Sequence, residues 1–358
     1  MSTVVALDIG SSALAGVELT TGHDRPSLVK AAIEPLREGL VVDGEVADPD
    51  GLAAEIKRFW RAQHFSGRRV RLGVANQRVS VRTIEMPAID DPQERRAAVE
   101  FESAEHVPIP ADQAIVDFVP VARFETEGGM RERIVLAAAH SDMIGALTKA
   151  VQKAGLQPVG VDLEAFALLR ALLPLEGPGQ GGSAPPAWAI CHVGAATTNL
   201  IVAVGHECQL TRLVGFGGTD LTRAVSDLAG LPPEEAEALK RACGLLGEDD
   251  GEEGWDRETA AKVRRALALG ARPLAQEVAR SLDYYRAQPF ARPVRGLILS
   301  GGTALCAGLD RYLQQALGIP VKMGEPLQHV DGADSLPHDV AVRAAVAIGL
   351  ALDAPEQS

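Results

Sequence analysis

The chain has 358 residues, 46% hydrophobic and 23% charged, a globular composition with length for two or three structural units. Its net charge of −13 repels nucleic acid and anionic lipid headgroups and favours basic partners. Cys191, Cys208, Cys243 and Cys306 form no CxxC pair, no His cluster has zinc-ligand spacing, and no apolar run has the length of a membrane span, so a disulfide scaffold, a zinc module and direct membrane insertion are not expected.

Residues 4–8 read as a buried strand carrying Asp8, and the absence of an early Lys or Arg argues against a signal peptide and for a cytoplasmic protein with reduced thiols. Gly10-Ser11-Ser12 then turns the chain into a second β-rich run at 14–19. Leu52, Ile56, Phe59 and Trp60, spaced by three and four, predict a helix over 49–65. Strands are predicted at 70–75 and 79–86, and a helix at 92–106 that Pro108 and Pro110 end. Runs at 115–121 and 134–139 predict a hairpin across Gly128-Gly129. Ser141 is the expected cap of a helix over 142–154 that Gly155 closes. This pattern places an inserted α+β subdomain at 83–152, between the two parts of a first lobe at 1–82 and 153–204.

A short strand at 159–162 and a helix at 164–173 precede a Gly/Pro-rich surface loop at 176–186. Strands follow at 187–193 and 198–204, with Gly194 between them. A second lobe at 205–335 begins with a helical half at 215–230. The acidic stretch 247–258 lacks the Asp/Asn ladder of a calcium loop and reads as solvated. An Ala-rich helical stretch over 259–286 is expected to break at Pro273. An apolar strand at 296–300 runs into Gly301-Gly302, with a helix at 307–317 and a strand at 319–323 beyond. The apolar helix at 339–352, within a closing segment 336–358, is expected to pack back on the first lobe.

Two segments repeat one pattern. Val5-Ala6-Leu7-Asp8-Ile9-Gly10-Ser11-Ser12 and Ala189-Ile190-Cys191-His192-Val193-Gly194-Ala195-Ala196 each run from apolar strand to polar residue, apolar residue, Gly and two small residues, and then into another strand. Matching glycine hairpins predict two pseudo-symmetric lobes. Glycine allows close approach of another molecule, and small Ser and Ala side chains leave the backbone N–H groups of a tight hairpin open to phosphate oxygens. Two such hairpins facing each other would grip one polyphosphate from both sides.

These hairpins resemble the two phosphate motifs of the actin-like ATPases. Leu297-Ile298-Leu299-Ser300-Gly301-Gly302-Thr303-Ala304 resembles their adenosine motif, and Ala236-Glu237-Ala238-Leu239-Lys240 an AExxK nucleoside element. The whole chain is similar to the PilM family of type IV pilus assembly proteins, relatives of the division protein FtsA. That similarity rests on Leu7-Asp8-Ile9-Gly10-Ser11-Ser12, Val161-Asp162-Leu163-Glu164-Ala165-Phe166-Ala167, Thr197-Thr198-Asn199-Leu200, Gly217-Gly218 with Leu221-Thr222, Arg280-Ser281-Leu282-Asp283-Tyr284-Tyr285, and Val346-Ala347-Ile348-Gly349-Leu350-Ala351-Leu352. It implies an α/β fold class: a two-lobed, duplicated actin-like (ribonuclease H-like) fold with the inserted subdomain.

The resemblance further implies ATP and Mg²⁺ as cofactors. Gly10, Ser11 and Ser12 would cradle phosphates from one side, and Gly194, Thr197 and Thr198 from the other. Asp8 would hold Mg²⁺ through water. Glu237 and Lys240 would contact the nucleoside, Glu277 the ribose, and Gly217, Gly218, Gly301 and Gly302 would complete the set. Two positions depart from the family pattern: Ala15 stands where a Lys commonly follows the first hairpin, and His192 where the second usually carries an Asp. Phosphoryl transfer depends on such positioned charge, so at most very weak ATP hydrolysis is expected.

The implied role is a cytoplasmic scaffold recruited to the inner face of the cytoplasmic membrane, in the pilus inner-membrane complex that serves twitching motility. A groove beside the inserted subdomain would receive the short cationic N-terminal cytoplasmic tail of the membrane protein PilN, steered by the acidic surface. Three alternatives remain at this stage: a GspL-like cytoplasmic domain of a type II secretion platform, an FtsA-like filament protein, and a sugar or acetate kinase of the same fold. The filament protein would need an amphipathic membrane helix that Asp353-Ala354-Pro355-Glu356-Gln357-Ser358 does not offer. The kinase would need a catalytic carboxylate in the cleft, where His192, Ala195 and Ala196 stand.

Overall fold

The computed structural model describes residues 2–21, 25–174, 185–245 and 257–352. β1 (Ser2–Ile9) and β2 (Ala13–Thr21) pair antiparallel around the first glycine turn, which sets Asp8 opposite Ala15. β3 (Ser27–Pro35) continues the meander, and β4 (Val41–Val42) with β5 (Glu45–Val46) forms a small hairpin. α1 (Pro49–Gln63) starts where Asp48 accepts a hydrogen bond from the Gly51 N–H at 2.9 Å and Pro49 fixes the first turn. Its Leu52, Ile56 and Phe59 are fully buried against the first sheet. β6 (Arg69–Val74) then joins β1 in parallel.

β7 (Val79–Pro87), α2 (Pro92–His106), β8 (Ala114–Thr126) and β9 (Gly129–His140) build a separate three-stranded sheet in the order β7-β9-β8. One face has its own small core of Ile84, Met86, Val99, Ile134 and Leu136. β7 is an edge strand of this sheet. α3 (Ser141–Lys153) and β10 (Gln157–Leu163) return the chain to the first five-stranded sheet, and α4 (Glu164–Leu172) follows at once.

The second half repeats the first and begins earlier than the expected boundary at 205: the strands at 187–193 and 198–204, expected in the first lobe, belong to the second sheet, because the former pairs with the strand at 294–300 and the latter with the strand at 207–214. β11 (Ala187–Val193), β12 (Thr198–Val204) and β13 (Glu207–Val214) form a meander; α5 (Gly218–Ala229), α6 (Pro233–Cys243) and α7 (Arg257–Arg286) follow. β14 (Val294–Ser300), α8 (Leu309–Leu317) and β15 (Val321–Met323) complete the second sheet. The two sheets run β3-β2-β1-β6-β10 and β13-β12-β11-β14-β15, each with an antiparallel meander on one side and two parallel strands on the other. α9 (His338–Arg343) and α10 (Ala345–Leu352) close the described chain.

One apolar cluster joins the halves: Ala6, Val17 and Leu19 of the first sheet and Ile190, Ile201 and Ile298 of the second meet around α4 and α10. α10 is buried on all sides, and Gly349 lets it touch α4. A Cβ at Gly349 would lie 1.9 Å from the Ala167 carbonyl oxygen.

Several sequence expectations change. α7 runs unbroken through Pro273, because Val263 and Leu267 before it and Leu274, Val278 and Leu282 after it bury in one core. The helix expected at 339–352 divides at Ala344, whose φ of −92° and ψ of 10° leave helical geometry. Ser141 lies inside α3, with His140 at the cap position and no capping side chain. The stretch before α8 is a 3-10 turn, Gly302–Leu305. β3 and β13 carry no strong alternation and were not expected. The loops expected at 176–186 and 247–258 fall mainly on 175–184 and 246–256, outside the described residues, as does the tail 353–358.

Candidate functional site

The two glycine hairpins have the same closing bond. The Gly10 N–H donates to the Ala13 carbonyl at 3.0 Å, and the Gly194 N–H to the Thr197 carbonyl at 2.9 Å. Both line a cleft of about 1030 Å³ between the lobes, together with Asp8, Ser11, Ser12, Gly218, Glu237, Lys240 and Gly302. The two turns thus face one space from the ends of two sheets.

Four of the residues picked from sequence stand outside the cleft lining. Thr198 is buried, and its Oγ1 donates to the Phe216 carbonyl at 2.8 Å, which fastens the second hairpin to the turn before α5. Gly217 presses against that hairpin; a Cβ there would sit 2.3 Å from the Ala195 carbonyl oxygen. Gly301, at φ 91°, passes equally close to the Val193 carbonyl. These three support the second hairpin from behind. Glu277, on α7, pairs with Arg212 at 3.3 Å and Arg280 at 2.8 Å instead.

Around the first hairpin two carboxyls come together. Burial raises the Asp8 pKa to about 7, although the Ile9 N–H partly opposes it. Burial, and then the charge of Asp8, push the Glu164 carboxyl well above the ordinary range, against a hydrogen bond from Asn199 Nδ2 at 2.8 Å. His192 lines the same cleft, with Nδ1 3.4 Å from Ser300 Oγ; burial lowers its pKa to about 4, so it is neutral at pH 7. The imidazole therefore supplies no carboxylate to orient a metal or a water.

On the opposite wall α6 carries a tight network. The Lys240 ammonium is buried and bonds Glu237 Oε2 at 2.5 Å, Thr222 Oγ1 at 2.9 Å and the Gly218 carbonyl at 3.1 Å. Burial alone would raise the Glu237 carboxyl, but hydrogen bonds from Lys240 and Thr222 outweigh it and hold it below the ordinary range. Thr303 Oγ1 donates to the Gly194 carbonyl at 2.7 Å, which links the turn after β14 to the second hairpin.

Glu164, Asn199, Thr222, Thr303 and Arg343 join the site without having been picked from sequence. Glu164 and Asn199 lie inside the phrases that carry the family resemblance, but no spacing in one chain says that these two side chains meet.

Next to this cleft lies a channel of about 330 Å³ at the junction of both five-stranded sheets with the three-stranded one. Val79, Ser80, Val81 and Arg82 of β7 form one side, with Ile109, His140 and Thr211 among the facing residues. No Asp or Glu lines it, whereas Arg78 and Arg82 do, so the acidic match expected for a cationic tail is not found in the channel lining. Ser80 Oγ is buried there without a hydrogen-bond partner among the described residues. Ala75 and Asn199 border both the channel and the cleft.

Among the described residues no group of three or more potential ligand side chains gathers around a metal position, and no helix is long and apolar enough to cross a membrane.

The family model described as type IV pilus assembly protein PilM matches residues 6–354. The solved structure of a PilM–PilN type IV pilus biogenesis complex aligns with a TM-score of 0.81 at 28% identity, covering 98% of this chain and 97% of that one. MreB5 of Spiroplasma citri bound to ADP aligns with a TM-score of 0.54 at 15% identity over 97% of this chain and 94% of that one, a likeness of fold alone. Cell division protein FtsA of Escherichia coli (strain K12) is 26% identical over 217 residues, 55% of this chain and 50% of the relative, so that match spans about half of FtsA. The duplicated, two-lobed architecture is the actin-like fold.

Proposed function

The chain belongs to the PilM family of type IV pilus assembly proteins, and from that membership we propose that it is a cytoplasmic, nucleotide-binding scaffold of the pilus inner-membrane complex that holds the N-terminal tail of a PilN. The observation that carries the nucleotide part is the pair of identically closed hairpins facing one cleft. Ser11 and Ser12, in the turn that the Gly10 N–H closes, would present backbone donors to the phosphates of ATP from one lobe, and Ala195 and Thr197, in the turn that the Gly194 N–H closes, from the other, with the two glycines leaving room for the phosphates.

Asp8 and Glu164 suit a hydrated Mg²⁺, since burial raises both carboxyls and a divalent cation beside them would offset that cost. Bound there, the ion would neutralise phosphate charge. Neutral His192 leaves the second hairpin without a carboxylate, which favours binding over turnover.

For the partner, β7 is an edge strand beside the channel, and an extended tail can add to it as a further strand. Ser80 Oγ offers such a tail a buried hydrogen-bonding group. Because Asn199 borders both spaces, lobe closure on a nucleotide would reshape the channel.

The test is fluorescence anisotropy with a labelled peptide of the host PilN N-terminal tail, with and without Mg-ATP. Saturable binding that Ser80→Trp abolishes supports the reading; equal binding of a scrambled peptide would sink it. Ser80→Ala should leave folding intact, since it removes an unsatisfied hydroxyl, and weaken the peptide.

A further inference from the structure

Six carboxyl side chains line the cleft against three cations, Lys240, Arg241 and Arg343. A polyphosphate entering such a wall needs positive charge that is free to meet it. Lys240 is committed to Glu237, Thr222 and the Gly218 carbonyl, and Arg241 to Glu237 at 2.7 Å. Arg343 is exposed and makes no hydrogen bond or ion pair among the described residues, even with Asp339 one turn before it on α9.

Its place is set by the backbone. The carbonyl of Val342 accepts hydrogen bonds from the Gly301 N–H and Ser300 Oγ, each at 3.3 Å, which pins the end of α9 to the end of β14. Ser300 pairs in register with His192, at the base of the second hairpin. The Arg343 stem crosses Gly302, where a Cβ would stand 3.9 Å from its Cγ. On its other side α9 packs against β3, and Ile33 of β3 pairs with Ala15 behind the first hairpin. Ile33, Ala15 and Arg343 all line the cleft. Arg343 therefore lines the cleft from α9, a helix held between β14, the neighbour of the second hairpin, and β3, the neighbour of the first.

We propose that Arg343 is the cation that binds the phosphate chain of the nucleotide. The proposal rests on the nucleotide reading given above. A guanidinium fork matches phosphate oxygens in a bidentate way, and among the described residues lining the cleft the other cations, Lys240 and Arg241, are already paired with Glu237. It also makes good the charge absent at Ala15 without a change to the first hairpin.

Titration calorimetry of the full chain with ATP and with adenosine, in MgCl₂, tests this on wild type, Arg343→Ala, Arg343→Gln and Arg343→Lys. Arg343→Ala and Arg343→Gln should weaken ATP by about tenfold or more and leave adenosine nearly unchanged, and Arg343→Lys should fall between. The salt dependence of ATP binding should become shallower in the two neutral variants. Unchanged ATP affinity in both, or an equal loss for adenosine, overturns the role of Arg343 while the nucleotide site stands. If the wild-type chain binds neither ligand, the nucleotide reading itself falls, and this proposal with it.

Discussion

Asn199 of β12 donates its side-chain amide to Glu164 Oε2 of α4 at 2.8 Å, a direct bond from one lobe to the other beside the paired carboxyls. Replacing it by Leu would leave a buried carboxyl without its donor. Asn199→Leu is expected to lower stability by about 1–3 kcal/mol, read by urea denaturation. It should also remove any effect of Mg-ATP on binding of the PilN tail peptide, while peptide binding itself persists.

The carboxyl pair fixes the sign of a pH effect. The Asp8 pKa is about 7 in the folded chain against an ordinary 3.8, so the folded state keeps a proton that the unfolded state releases. That contribution to stability is complete below pH 3.8 and is lost as pH rises through 7; Glu164 acts in the same direction. His192 runs the other way, from an ordinary 6.5 to about 4, and its contribution is complete above 6.5 and lost as pH falls toward 4. The two oppose each other below pH 6.5, and only the carboxyls act above it. Without nucleotide and in EDTA, denaturation midpoints should therefore fall from pH 6.5 to 7.5, and Asp8→Asn should flatten that fall.

The Lys240 network predicts an asymmetry between two variants. Glu237→Ala leaves a buried ammonium with only neutral acceptors and should cost about 3 kcal/mol. Lys240→Met should cost less, because Glu237 is half-open to water and keeps Arg241. Thermal melts of the two proteins without ligand decide the order.

Gly349→Ala should be among the most damaging small changes in the chain. The added methyl meets the Ala167 backbone, which cannot move without displacing α4. A loss of about 3 kcal/mol is expected, with a matching drop in soluble yield.

Much of this architecture is legible in the sequence because glycine hairpins leave a strong local mark. Gly10 and Gly194 announce both turns, and the strand at 187–193 agrees with β11 residue for residue. What is lost is decided by tertiary packing. Pro273 reads as a break, and only the shared core on both sides shows why the helix continues. Thr198, Gly217 and Gly301 sit in the right motifs but hold the second hairpin in place rather than face the cleft. Glu164 and Asn199 are 35 residues apart and acquire meaning only when the lobes meet.

The return of α10 to the first sheet also orders events during synthesis. α4, β1, β2 and β6 all pack against residues 345–352, which leave the ribosome after the whole second lobe. The amino-terminal lobe therefore waits, its apolar α4 face uncovered, while the later lobe can already close around its own core. Vectorial folding should run backwards here, with the half made first finishing last, and a nascent chain stalled before residue 345 should be a substrate for chaperones.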